Sequence, residues 1–482
     1  MKKLFLIAIA AAAFVACSNN DEEVMSPQVP NPTAQGDIPV GFDVYTSRAT
    51  TRAGKIDEAT VSSLKAAEAA GGGFGIFAYY TNANEYDPQA VPNFMYNQKV
   101  LWDNNGTTED PADDYWKYEP VKYWPNEHGN TAISDDVDKL TFFAYAPYVA
   151  VVPSTGKLSD VTGGKDKWGI TGMSRNSATG DPLIKYIASF EKTKTVDLCW
   201  GVYNEASPYS WATNAGGNQS LEDLKGLPWK NIQRPDGVSG QNVKFTFKHA
   251  LAQLNVQIDH DADVTAHADD ETGIAAATKV YVRSISFTGM ATKGSLNLNN
   301  TVDGKALWLD YNGTADLESG EVVTIYDGRK DGKEGTAGAI ASNEKTLGLN
   351  ATIISDNDNT TAGVTKTLQN LFADMASATD PVYIIPTGEA IEVEIVYDIE
   401  TADANLASYL SDGKTTGSRI ENRIKKTVTF GTDTKFENGK SYTLKLHLGM
   451  NSVKFDAAVT GWVDANADGN AELPDNYVAP EP

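Results

Sequence analysis

Cysteine, histidine and long apolar segments are scarce in this chain of 482 residues. It has two cysteines and five histidines, which leaves little material for zinc sites or thiol chemistry. Past the N-terminus no apolar run approaches the roughly 20 residues that cross a bilayer, so we expect no transmembrane helix in the mature chain. Basic residues are also few: 40 stand against 64 acidic ones, and the net charge of −24 disfavours a nucleic-acid partner.

The overall composition is that of an ordinary folded protein. Apolar residues make up 41% of the chain and charged residues 22%, which excludes disorder of the whole chain. The length predicts two or three domains.

The first 16 residues have the pattern of a secretory signal peptide. Lys2 and Lys3 precede an uninterrupted apolar run over 4–15, which is too short to span a membrane. Ala16 and Cys17 follow, and a small residue before a cysteine at this place resembles a bacterial lipobox. We therefore predict cleavage between Ala16 and Cys17 and lipid on Cys17. The alternative is a plain signal peptide that is cut elsewhere, with an incidental cysteine.

Residues 17–36 are predicted to form an acidic, proline-rich tether. Such a composition stays extended and solvated. The acidic stretch behind Cys17 also resembles a surface-export signal of some Gram-negative lipoproteins, although a solvated linker explains it equally well.

The rest of the chain predicts an all-β protein with long loops and one or two short helices. In the first strand Ile38, Val40, Phe42 and Val44 share one face, and Pro39 favours an edge position. Many short strands with turn signals favour two β-sandwiches, with a boundary near 235–242. Further strands are predicted over 74–80, 140–145, 196–200, 243–247, 254–258, 280–287, 382–386, 391–399, 426–430, 442–447 and 453–459, and helices over 57–70 and 365–377.

Several motifs, in order along the chain, resemble the fimbrillin-like (Mfa-like) family of Gram-negative surface lipoproteins. The motifs are the lipobox, Thr51-Arg52-Ala53, Tyr123-Trp124-Pro125 with 140–147, 247–254, 384–387 and Val459-Thr460-Gly461-Trp462. The resemblance implies two transthyretin-like β-sandwich domains. With the boundary near 235–242, we predict them at 37–240 and 241–463, followed by an acidic tail over 464–482. The resemblance also implies a subunit or tip of type V pili, acting in adhesion at the outer membrane or cell surface.

The resemblance further implies a mechanism of assembly. An Arg-specific protease removes the first strand, and a strand of a neighbouring pilus subunit replaces it. Thr51-Arg52-Ala53 matches the family pattern, so Arg52 is the first candidate for the cut and Arg48 the second. The removable strand carries Ile38, Val40, Phe42 and Val44. The alternative is a permanent lipoprotein whose first strand stays in place.

The residues after Trp462 make a weak donor strand. They are acidic, contain Pro474, Pro480 and Pro482, and show no alternating apolar face. This favours a tip or accessory subunit over a stalk subunit. A run from Asp464 to Asp475 imitates a calcium loop, but Asp replaces the usual Glu at position 12, so a solvated tail is the simpler interpretation.

No motif predicts an enzyme, a cofactor or a metal centre. His260 and His267 lie among acidic residues, where a polar loop is the simpler interpretation, and His249 and Cys199 are expected in the core. Aromatic residues in the loops, at Tyr115, Trp116, Tyr118, Tyr123, Trp124, Tyr209 and Trp211, either pack or stack on sugars. The alternative functions are therefore a surface glycan-binding lipoprotein of a polysaccharide uptake system and a glycoside hydrolase. A host protein or glycan receptor is the further partner to expect of an adhesin.

Overall fold

A computed structural model of the chain describes much of the body. The residues it describes are 38–44, 64–66, 68, 72–82, 85–104, 114–125, 139–190, 194–203, 226–232, 242–260, 278–317, 320–327, 352–354, 369–370, 382–401, 418–428, 435–448 and 453–461.

Strands dominate these residues, which confirms the all-β prediction. They are β1 (Phe42–Val44), β2 (Phe74–Asn82), β3 (Met95–Asp103), β4 (Tyr115–Lys117), β5 (Lys139–Ala146), β6 (Val151–Val152), β7 (Lys157–Leu158), β8 (Gly169–Met173), β9 (Leu183–Ile187), β10 (Cys199–Tyr203), β11 (Trp229–Ile232), β12 (Val243–His249), β13 (Ala252–His260), β14 (Thr278–Thr288), β15 (Met290–Ala291), β16 (Lys293–Asn297), β17 (Leu307–Leu309), β18 (Val323–Asp327), β19 (Thr352–Ile354), β20 (Gln369–Asn370), β21 (Val382–Pro386), β22 (Glu392–Thr401), β23 (Ser418–Thr427), β24 (Lys440–Leu448) and β25 (Val453–Gly461). A 3₁₀ segment covers Thr162–Lys167, with left-handed backbone at Gly163 and Gly164.

The first large sheet has the order β1-β12-β10-β5-β2-β3-β4, and β11 also pairs with β5. Its central strand β5 is an apolar run, and all eight residues are buried because both faces of the sheet are covered. Phe142 belongs to one core, and Phe143 belongs to the core on the other face. That second core is shared with the sheet β17-β16-β9-β8-β7-β6, through residues such as Ile184 and Leu296.

The remaining strands form two more sheets around a separate core. One has the order β15-β21-β13-β24-β25, with β20 also on β13. The other has the order β18-β14-β22-β23, with β19 also on β14. Alternating residues of the two sheets, such as Leu254 and Val256 against Val393 and Ile395, form the apolar core.

The predicted strands are largely confirmed, and three expectations need correction. The strand expected over 196–200 is β10, which begins at Cys199 and ends at Tyr203. Residues 369–370, which were expected to be helical, form strand β20, antiparallel to β13. The strand expected over 426–430 lies earlier, at Ser418–Thr427. The sequence did not indicate this strand because its residues are mostly polar. Of the helix expected over 57–70, the structure describes residues 64–66 and 68, where Leu64 is helical and buried.

The strand pairing crosses the expected domain boundary near 235–242. β12 follows that boundary but pairs with β1 and β10 of the first sheet, and β16 pairs with β9. The division of the chain at 240 and 241 stays a prediction.

Candidate functional site: the first strand and its groove

The first described segment of the chain, residues 38–44, lies along one end of the first sheet. β1 runs parallel to β12, with Phe42 opposite Val243 and Val44 opposite Phe245. β12 therefore contributes the backbone edge of a groove that residues 38–44 fill.

The alternating apolar side chains of this segment are buried in the groove. Val40, Phe42 and Val44 are 1%, 3% and 5% exposed, and Ile38 packs half-buried against the same core. The ring of Phe42 lies 5.3 Å from that of Tyr118, 5.9 Å from that of Phe142 and 6.3 Å from that of Phe245. Burying three such side chains stabilises the docked strand by roughly 5–9 kcal/mol at most.

The beginning of the segment is held from its other side by residues 122–124. The amide of Val40 donates to the carbonyl of Lys122, and the amide of Trp124 donates to the carbonyl of Ile38, each over 2.8 Å. Tyr118 Oη donates to the carbonyl of Val40 over 2.7 Å. Pro39, which has no amide hydrogen, forms an isolated bridge with Tyr123. Residues 38–40 are therefore held by residues 118–124, and the pairing with β12 begins at Phe42.

The groove also restricts which residues can occupy positions 41 and 43, which lie between the apolar side chains. A Cβ at Gly41 would lie 1.9 Å from Asn242 Oδ1, so only glycine fits there without a shift of Asn242. Asp43 is 4% exposed, and its Oδ2 lies 3.9 Å from Nζ of Lys244 on β12. A buried carboxylate needs such a partner, so the pair makes the fit depend on charge as well as on shape.

Burial also acts on the Tyr118 hydroxyl. Desolvation raises the pKa of Tyr118 well above the ordinary value for tyrosine. The phenol therefore keeps its proton and goes on donating to Val40 across the physiological range.

Several residues predicted to act with this strand lie outside the described residues. They are Ala16 and Cys17 at the predicted signal cleavage and lipidation site, and Arg48 and Arg52 at the predicted processing site. The acidic tail after residue 463 and the aromatic residues Tyr209 and Trp211 also lie outside. The four residues of the predicted removable strand, by contrast, are brought together in one groove.

Tyr115 and Trp116, which were expected in a loop, lie on β4, and most of the described aromatic residues of this region pack in the core and leave little ring surface for a sugar. Trp116, Tyr118 and Trp124 are 6%, 7% and 3% exposed, and they belong to the core that covers Phe42. Tyr123 is exposed. Burial in this core is a structural role for these three rings.

His249 and Cys199 are buried in the first sheet, as expected. His249 Nδ1 lies 2.7 Å from Asp197 Oδ2, and Cys199 Sγ lies 3.5 Å from the same nitrogen. Asp197 carried no sequence signal, because nothing in the primary structure places it next to His249. In the part of the chain described here, no helix has the length and apolar character needed to cross a membrane.

The whole chain can be compared with known proteins. No family model matches the chain. A curated protein of Phocaeicola vulgatus named fimbrium subunit Fim1C is 26% identical over 485 residues, which cover 98% of this chain and 99% of that protein. The chain is a homologue of a fimbrial subunit. The resemblance to fimbrillin-like proteins predicted from the motifs is thereby confirmed.

Solved structures of fimbrial proteins are also similar to this chain. A fimbrial protein from Bacteroides vulgatus ATCC 8482 is 23% identical, with a TM-score of 0.46, over 88% of this chain and 99% of that chain. The fimbrial anchor protein Mfa2 from Porphyromonas gingivalis is 8% identical, with a TM-score of 0.30, over 88% of this chain and 98% of that chain.

Proposed function

We propose that this chain is a non-enzymatic, surface-exposed component of a pilus that acts in adhesion. The relationship to a protein named as a fimbrium subunit, over nearly the whole length of both, supports this function. That relative is named as a fimbrium subunit, and a subunit of a fimbrium needs no catalytic centre.

The observation that carries the assembly mechanism is the way residues 38–44 fill their groove. An edge strand with its apolar side chains buried at Val40, Phe42 and Val44 is a separable part of the sandwich. If it leaves, the β12 edge and the aromatic wall of Tyr118, Phe142 and Phe245 become available to another strand. We infer that a strand from a neighbouring subunit takes this place.

The chain just after β1 supplies the means of release. Arg48 and Arg52 follow the strand within eight residues, and a cut after either would separate the strand from the body. The same cut would part the body from Cys17, which we propose carries the lipid that holds the precursor at the outer membrane. Because residues 463–482 make a weak donor strand, a tip or accessory position suits this chain better than a stalk position.

The experiment treats the purified precursor with an Arg-specific protease and sequences the product. We expect one cut after Arg52, its loss in Arg52→Ala, and no effect of Arg423→Ala, since Arg423 lies on a strand of another sheet. A synthetic peptide of residues 37–45 should then bind the cut body after the original strand is washed out under mild denaturant. The same peptide with Phe42→Asp should not bind. Resistance of both Arg-Ala bonds in the folded precursor, or failure of the cut body to bind the peptide, would contradict the assembly mechanism.

Lipid attachment is tested separately. Cells fed a fatty-acid probe should label the wild-type chain and not Cys17→Ala. Equal labelling of the two would show that Cys17 is not the lipidated residue.

A further inference from the structure

Three side chains with metal-binding chemistry meet beside β10 and β12. Cys199 begins β10, and His249, directly opposite in the ladder, ends β12. Asp197 lies two residues before Cys199, and residues two apart on an extended chain point to the same face. One donor atom from each of the three lies within 4.8 Å of the other two.

The distances between these atoms resemble those of a tetrahedral zinc site. Zinc bonds of about 2.3 Å to sulfur and 2.0–2.1 Å to nitrogen or oxygen put ligand atoms roughly 3.3–3.6 Å apart. Cys199 Sγ lies 3.5 Å from His249 Nδ1 and 3.3 Å from Asp197 Oδ2. His249 Nδ1 and Asp197 Oδ2 lie 2.7 Å apart, a hydrogen-bond distance that must open by about 0.6 Å when an ion replaces the shared proton.

The surroundings of the cluster also suit an ion. Cys199 and His249 are each 3% exposed, whereas the Asp197 side chain is 25% exposed and leaves an approach from solvent. The other carboxylate oxygen, Asp197 Oδ1, is buried and has no hydrogen-bond partner among the described residues. A buried carboxylate oxygen is costly in that state, and a bound ion or the water on it would relieve the cost.

We propose that Asp197, Cys199 and His249 bind one zinc ion, with solvent as the fourth ligand. A thiolate and an imidazole favour zinc over calcium or magnesium, which take oxygen ligands. Binding releases the thiol proton and the proton held between His249 and Asp197. Zn²⁺ accepts an electron pair from Cys199 Sγ, His249 Nδ1 and a carboxylate oxygen of Asp197, and its oxidation state does not change.

The position of the ion indicates a structural role. The carbonyl of His249 accepts from Asn438 Nδ2 over 3.3 Å, and the amide of Ala250 donates to the carbonyl of Leu198 over 2.8 Å. The chain then continues into β13, whose sheet encloses the separate core of Leu254, Val256, Val393 and Ile395. Zinc would therefore stabilise the point where the chain passes from the first sheet to that sheet, independently of any exchange of the first strand.

The test uses the full mature chain in a Cys17→Ser background, so that Cys199 is the one remaining thiol. The protein is stripped with chelator, then titrated with Zn²⁺ against a chromophoric chelator and with Co²⁺ in the spectrophotometer. We expect one ion per chain, a thiolate-to-cobalt charge-transfer band with tetrahedral visible bands, and a Zn²⁺-dependent rise in Tm.

Three variants test whether the ion binds at the proposed residues. Cys199→Ser should abolish the charge-transfer band, and Asp197→Asn should keep it while weakening Zn²⁺ binding at least about tenfold. Asp303→Asn, at an exposed carboxylate paired with Lys248, should bind like the parent. Circular dichroism of each variant shows that it is folded. The site would be overturned if the parent chain takes up no Zn²⁺, if Cys199→Ser and Asp197→Asn both leave the uptake unchanged, or if the Co²⁺ spectrum lacks the thiolate band. The three residues would then form a hydrogen-bonded Asp-His-Cys cluster.

Discussion

β1 and β25 each occupy the end of a sheet, yet they are held in different ways. β25 matches β24 over nine residues in an antiparallel ladder. β1 matches β12 over three residues in parallel, and its side chains on both faces are buried. The long ladder is stabilised by backbone hydrogen bonds along nine residue pairs. The short strand depends on which side chains it carries.

This difference bears on how each strand could be exchanged. A strand held by a few backbone bonds can leave as one unit, and the groove it leaves selects a replacement by side-chain shape and charge. A strand held by nine paired residues opens at much greater cost in backbone hydrogen bonds. If side chains dominate at β1, substitutions in this strand and in the groove around it should lower the free energy of unfolding.

Phe42→Ala should give the largest effect. The ring fills the centre of the groove between Tyr118, Phe142 and Phe245, and its removal leaves a cavity that the sheet cannot close. We expect a loss of about 3–5 kcal/mol in the free energy of unfolding of the sandwich, measured in urea. Hydrogen exchange should show faster opening at β12 than at β24.

Val322→Ala is the matched control, since Val322 is exposed and changes little buried surface. A loss below about 1 kcal/mol for Phe42→Ala would mean that the backbone, not the side chain, holds β1, and the contrast with β25 would disappear.

Gly41→Ala should come next. Its new Cβ would lie 1.9 Å from Asn242 Oδ1, so either β1 or the residue before β12 must move. We expect a loss of about 1–3 kcal/mol in the free energy of unfolding, partly restored by adding Asn242→Ala. Gly320→Ala is the control, because nothing lies within 4 Å of its added Cβ. Equal effects at the two glycines would show that the groove is not tight at Gly41.

The sequence predicts this region well where local pattern decides the structure. The alternation of Ile38, Val40, Phe42 and Val44 indicates one buried face, and Pro39 indicates an edge, both visible without any partner strand. The apolar run of β5 likewise predicts a buried strand. In these segments the local preference and the final packing agree.

The features that the sequence missed depend on residues far apart in the chain. Asn242 faces Gly41, and Asp197 faces His249 across a ladder that no local pattern reveals. Gln369–Asn370 shows how tertiary pairing overrides a helical period, because β13 offers an edge on which these residues pair as a strand. The sequence pattern did not predict most of β23, because the residues from Asn422 to Thr427 are mostly polar.

Asp43→Asn tests the charge requirement of the groove. The substitution keeps the shape but removes the negative charge beside Lys244, whose side chain is 22% exposed and only partly hydrated. We expect a loss of about 1–2 kcal/mol in the free energy of unfolding, reduced when Lys244→Met is added. Glu394→Gln, in an exposed pair with Arg423 between β22 and β23, should cost less than about 1 kcal/mol. If the two single substitutions cost the same, charge does not select the occupant of the groove.

Tyr118→Phe should give the smallest loss and a change in pH dependence. The variant loses the hydrogen bond to the carbonyl of Val40, which we expect to cost about 0.5–1.5 kcal/mol at pH 7. Because burial raises the pKa of Tyr118, the folded protein keeps this proton at pH values where the unfolded chain releases it, near pH 10. The stabilisation linked to that proton is therefore complete below about pH 10 and falls as the pH rises further, by up to about 1.4 kcal/mol per pH unit for one group.

Urea unfolding of the wild type and Tyr118→Phe between pH 8 and pH 11 measures this slope. Burial raises the pKa of Tyr145 and Tyr186 in the same direction, so the wild type should lose stability steeply and the variant less steeply. Identical slopes for Tyr118→Phe and the wild type would mean that Tyr118 reaches solvent when it ionises. Residues 38–40 would then separate from Tyr118 as readily as β1 separates from β12.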